Sequence, residues 1–204
     1  MKKQSPRTRR HIRTRQAILD AATEIIHEEG PDALSMRELA DRIDYSAAGL
    51  YEYFGSKEEI ILAVCQEGHQ RLAAYMLEVD REVPANDYLY GIGKAYVRFA
   101  LENPDHFLLM FSYPEAAGAP ENDEMHQEND SSYNILLQGI GRGISEGVFP
   151  ERPGFGLDEL GYAAWTMVHG IAMLRVTALR EYPLDLDAVD DHVIHNFLRG
   201  LMTA

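Results

Sequence analysis

The stretch SMRELADRIDYSAAGLYEYFGSK, residues 35–57, decides the reading of this chain. Ser35 stands as an N-cap with Glu38 three residues on, the capping-box spacing that opens a helix. That helix turns Met36, Leu39, Ala40 and Ile43 to one side. Asp44-Tyr45 makes a turn, and Ser46 caps a short second helix running to about residue 53. Ser56 with Glu59 repeats the capping box and launches a longer helix. Two short helices joined by a tight turn, closed by an aromatic cluster and a lysine, suit a groove better than catalysis.

Helical periodicity continues on both sides, and runs of Val, Ile and Thr with period-two alternation are missing. A first helix of about residues 9–29 places Ile18, Ala22, Ile25 and Ile26 on one face and stops at Gly30-Pro31. The helix after Ser56 carries Ile60, Val64, Tyr75 and Val79, and Pro84 ends its reach. Further helices are expected over about 87–102, 107–111, 125–146, 157–181 and 186–202, with connectors at 112–123 and 147–156. The expected fold is all-α, about nine helices. A three-helix N-terminal domain over 1–57 precedes a helical bundle over 58–204.

Charge is polarised along this frame. The chain carries a net charge of −14, yet residues 1–15 hold seven basic side chains and no acidic one. Residues 1–60 hold ten basic and eleven acidic groups, and the remaining residues hold nine and twenty-two. An acidic body repels a polyanion and leaves the basic tip to engage it, while also favouring solubility. Cys65 is the only cysteine, which excludes an intrachain disulfide and points to a buried thiol in a reducing cytoplasm. The basic N-terminus lacks an apolar signal core, and no apolar stretch is long enough to span a bilayer.

A helix-turn-helix braces with its first helix and inserts its second into the major groove. Ser46, Ala47, Ala48 and Gly49 are small enough to let backbone approach base edges. Tyr51 and Tyr53 supply hydroxyls for phosphate, Lys57 adds a point charge, and Leu50 and Phe54 face inward. With these residues in place the chain resembles the tetracycline-repressor family of bacterial one-component regulators. The resemblance runs through Ala21-Ala22, Ile25-Ile26 and Gly30, then Ser35-Met36-Arg37-Glu38-Leu39-Ala40, Tyr45-Ser46, and Leu50-Tyr51-Glu52-Tyr53-Phe54-Gly55-Ser56-Lys57-Glu58-Glu59. It implies phosphate contacts from Ser35, Arg37, Tyr53 and Lys57, and a place near the bases for Ala47, Ala48, Gly49 and Tyr51, with Tyr45 and Ser46 also among the DNA-binding residues. Ala47 stands where the family often has a cation, so readout leans on thymine methyls, Tyr51 and DNA shape. A basic arm over residues 1–8 would compensate along the phosphates or in the minor groove.

Trp165-Thr166-Met167-Val168-His169-Gly170 is similar to a tryptophan–histidine–glycine signature in one group of this family's regulatory domains. Trp165 and His169 lie one turn apart on one face, and Gly170 would admit a neighbouring helix. Two readings stay open: Trp165 packed in the core with His169 bonded to a carbonyl, or the pair touching a ligand. The resemblance implies an effector pocket, for which Tyr96, Phe99, Phe107, Met110, Phe111, Trp165, His169 and Met173 are the candidate lining. Each is equally a good core residue. The last two helices are expected to make a homodimer through Leu160, Ala164, Val168, Ile171 and Ala178, and through Val189, Val193, Phe197 and Leu201.

His192 and His195 near Asp190 and Asp191 lack a second ligand cluster, so no metal is expected. Gly139-x-Gly141-Arg142-Gly143 follows no strand and is no phosphate loop. No nucleophile motif or acid pair points to an enzyme, and no cofactor is implied. The expectation is a ligand-responsive repressor in a bacterial or archaeal cytoplasm, binding double-stranded operator DNA as a homodimer and released by a small-molecule effector. The rivals are a helical protein-interaction module and an activator without a ligand.

Overall fold

A computed structural model describes residues 5–113, 131–150 and 153–202. Among them the chain forms nine helices and no strand: α1 (Pro6–Glu29), α2 (Met36–Arg42), α3 (Ala47–Leu50), α4 (Lys57–Leu77), α5 (Ala85–Glu102), α6 (Pro104–Ser112), α7 (Ser132–Ser145), α8 (Leu157–Val176) and α9 (Leu186–Met202). The expected connector over 112–123 and the start of the 125–146 helix lie largely outside the described residues. Contacts divide the chain into two compact units, Met1–Gly68 with Leu108–Ala117, and His69–Phe107 with Gly118–Ala204. The division falls within α4, beyond the 57/58 boundary expected from the motif.

In the first unit α1 packs on α2, and α2 on α3. Ile18, Ala22 and Ile25 are fully buried, as are Leu34, Leu39 and Leu50, with Phe54 nearly so. Met36 and Ile43, expected inside, are half-buried, and Leu34 supplies the missing core volume. Gly30 takes φ +85, a backbone state that L side chains rarely adopt, and so ends α1 before the short 3-10 turn Pro31–Ala33. Arg42, in the last turn of α2, lies 2.8 Å from Glu28 and within 4 Å of Glu24 and Glu38, tying α2 to α1.

In the second unit α5 packs against α7, α8 and α9. Its inner face, Tyr88, Ile92, Tyr96, Phe99 and Ala100, is sealed from solvent. Arg142 of α7 clamps the α4–α5 connection. Its guanidinium donates at 2.6 Å to the carbonyls of Arg81 and Val83 and to Glu146. Gly143 beside it leaves room for Phe149, whose ring would lie 2.2 Å from an added Cβ. Arg175, in the last turn of α8, reaches Asp187 at 2.8 Å and the buried Asp190 at 2.5 Å, which fixes the start of α9. Burial raises the Asp190 carboxyl and Arg175 opposes the shift.

Candidate functional site

Each helix of the reading element is started by a serine. Ser35 Oγ accepts the Glu38 N–H at 3.1 Å, and Ser46 Oγ accepts the Gly49 N–H at 3.0 Å. Ser56 Oγ takes the Glu59 N–H at 3.2 Å, but the Glu59 carboxylate reaches back to the Gly55 N–H at 2.7 Å, one residue further than the capping box anticipates. Asp44 makes the turn with φ +52, a left-handed state that Asp tolerates. Helix α3 ends at Leu50, and residues 51–53 form a turn, shorter than the helix to 53 that the sequence implies.

The expected DNA-facing side chains are accessible. Arg37, Tyr45, Ser46 and Ala48 are exposed, and Tyr51 is 57% exposed. Ala47, Gly49 and Lys57 are half-buried, with Lys57 the first residue of α4. Ser35 is exposed, but its hydroxyl already serves α2, so any phosphate it meets shares that oxygen.

Two features were invisible in the motif. Tyr53 is half-buried because His11 of α1 stacks flat on it, 4.7 Å between centroids and 19° between planes. Tyr45 meets Tyr53 edge-on at 6.2 Å, with the two phenols 3.5 Å apart. That contact with Tyr53 raises the Tyr45 phenol, while the charge of Arg10 works the other way. Gly49 closes the column, since a Cβ there would lie 2.6 Å from the Tyr45 ring. Its smallness accommodates Tyr45, a different reason from the approach to bases that the sequence indicated. The basic arm also changes form. Ser5 caps α1 and Pro6 is its first residue, so Arg7 and Thr8 are helical, and of the expected arm residues 1–4 lie outside the described residues.

Of the expected effector lining, four residues converge in the second unit. The Tyr96 hydroxyl pairs with His169 Nδ1 at 2.9 Å, and Phe107 lies 5.6 Å from the His169 ring and 5.8 Å from Tyr96. Trp165 adjoins His169 at 5.8 Å, and Tyr133, which the sequence did not single out, meets Trp165 edge-on at 5.9 Å. Burial pushes the Tyr96 phenol up and the His169 imidazole down. Trp165 is 37% exposed, and His169 bonds the Tyr96 phenol. Phe99 packs instead against Tyr75 at 5.5 Å, and Met173 is half-buried on α8. Met110 and Phe111 belong to the first unit.

The expected dimer stripe needs correction on α8. Leu160, Ala164 and Val168 are buried in the protomer's own packing, because they share the face of α8 that meets α5 and α7. Ile171 is half-buried, and Ala178 lies beyond the end of α8, which stops at Val176 and not near 181. The outward face carries Tyr162, 64% exposed, with Gly170 and Leu174. A Cβ at Gly170 would meet nothing within 4 Å, so no helix of the described residues approaches it. On α9, Val189 and Val193 are exposed, and Phe197 and Leu201 are half-buried. His192 and His195 spend Nδ1 on the Ala188 and Asp191 carbonyls.

The comparisons agree with this geometry. Residues 18–64 match the model of bacterial regulatory proteins of the tetR family, and residues 89–197 match the tetracyclin repressor-like C-terminal domain. The second match includes Trp165, His169 and Gly170. An uncharacterised HTH-type transcriptional regulator of Bacillus subtilis, YobS, is 28% identical over 94 residues, 46% of this chain and 49% of that protein. The HTH-type transcriptional repressor KstR of Mycobacterium tuberculosis is 28% identical over 127 residues, 58% of this chain and 56% of KstR. The matched segments thus span about half the length of these two relatives. The crystal structure of PfmR, a TetR family transcriptional regulator from Thermus thermophilus, superposes with a TM-score of 0.68 at 26% identity, covering 91% of this chain and 99% of PfmR. With a helix-turn-helix region and a C-terminal domain both matched, this chain belongs to the tetracycline-repressor family.

Proposed function

We propose that the protein is a repressor that binds a palindromic operator as a homodimer in the cytoplasm and is released by a small-molecule effector. The observation that carries the homodimer is the exposure of apolar side chains on α8 and α9, Tyr162 and Leu174 on one and Val189 and Val193 on the other, with Gly170 exposed on α8. Apolar surface of this kind is stable in water when a second copy covers it, and an exposed glycine lets two helices approach closely. Two copies related by a two-fold axis present two recognition helices to an inverted repeat. The effector reading rests on the Tyr96–His169–Trp165–Phe107 cluster, an aromatic wall with a phenol–imidazole pair and an edge open to solvent at Trp165. Repression is supported by the similarity to KstR, which is a repressor.

The test is selection of duplexes from a random library by the full-length protein, followed by footprinting and reporter assays. An enriched inverted repeat, occupied by two protomers and silencing a downstream promoter, is the expected result. A single half-site bound by one protomer would refute the dimer, and reporter stimulation would make the protein an activator. Release of the selected duplex by a member of an apolar metabolite library, lost in Tyr96→Phe, would establish the effector site.

A further inference from the structure

We propose that the first two turns of α1 form a second DNA-contacting surface, in which Arg7 and Arg10 bind backbone phosphate and His11 is a positioning residue for Tyr53. Arg7, His11 and Arg15 recur at i, i+4 and i+8 and so share one face of α1. The lower two are seated on the reading element. The Arg15 guanidinium lies 4.9 Å over the Phe54 ring, and His11 lies flat on Tyr53. Arg7 is one turn further along the same face, exposed, with no acidic residue in the first turn of the helix. Arg10 flanks this line, and its charge acts on Tyr45. The basic side chains are thus held on a rigid helix continuous with the tyrosines of the recognition element. Two arginines and two phenols at one edge of a groove-reading helix match the spaced anions of a duplex backbone.

This inference rests on the DNA-binding reading, which the wild-type protein tests by itself: with that reading wrong, it enriches no duplex from a random library. On the enriched duplex, fluorescence anisotropy across a salt series compares full-length variants. Arg7→Gln with Arg10→Gln is expected to lower the slope of log affinity against log salt by about two, with an unchanged melting temperature. An unchanged slope overturns the proposal. His11→Ala is expected to bind several-fold more weakly, and His11→Phe, which keeps a flat ring on Tyr53, is expected to restore wild-type affinity. Wild-type affinity in His11→Ala, or no recovery in His11→Phe, would rule out the role given to His11.

Discussion

Gly49 and Tyr45 occupy one volume between them, and the recognition helix takes its position from that fit. Substituting Gly49→Ala pushes a methyl into the Tyr45 ring, so the ring or α3 must shift. DNA affinity is expected to fall about tenfold in an anisotropy titration, the size of effect expected for a small misplacement of a reading helix. Tyr45→Ala removes the ring and leaves the Ser46 hydroxyl, 2.9 Å from the added methyl, so it should reduce the cost of Gly49→Ala; an additive double variant would contradict the shared volume. In the second unit, His169 has an imidazole that burial holds below its ordinary value of 6.5. The unfolded chain therefore binds the proton more readily, and stability present above pH ~6.5 is lost as pH falls toward the folded-state value. His69 shifts the same way for the same reason. The melting temperature should decline below that pH, and His169→Gln should make the decline shallower. Cys65 is 2% exposed and its thiol is pushed up to about 12 by burial, so native protein should resist alkylation that denatured protein accepts within minutes.

At the scale of elements, the order of the helices among the described residues was open to reading because caps act locally. Ser35, Ser46 and Ser56 each bind the N–H three residues on, a relation contained within one turn. Where the reading missed, the deciding partner was distant in sequence. The start of α1 at Pro6 follows from Ser5, a cap hidden among basic residues that read as an arm. His11 had no periodic reason to be singled out, since its importance comes from Tyr53 across the fold. Arg142 stands in a glycine-rich string with no sequence signal of its own, yet it donates to two backbone carbonyls. Arg142→Ala removes both and leaves the Val83 carbonyl partly buried without that donor. A loss of about 2–3 kcal/mol in urea unfolding is expected, the range for hydrogen bonds to a charged group. A loss below about 0.5 kcal/mol would mean that water replaces the clamp.

For the whole molecule, the separation of a basic N-terminal stretch from an acidic remainder is plain in the sequence. The orientation of α8 was not. Apolar residues surround that helix on nearly all sides, so periodicity could not say which stripe meets α5 and which meets solvent. The structure turns Leu160, Ala164 and Val168 inward and leaves Tyr162 and Leu174 outside. Leu174→Glu combined with Val193→Glu should therefore convert a dimer to a folded monomer in light scattering and weaken operator binding at least a hundredfold. A dimer that survives both changes would place the interface elsewhere. Leu160→Glu, by contrast, should cost folding itself, because it buries an unpaired carboxylate.

The Arg142 clamp also bears on motion. Connections between helices are usual places for a chain to bend, but here one guanidinium fastens the Arg81 and Val83 carbonyls to α7 and Glu146. The α4–α5 corner behaves as a weld. A displacement of the C-terminal end of α4 must carry α7 with it, and its amplitude is set by how far α7 can slide on α5 and α8, not by any freedom in the loop.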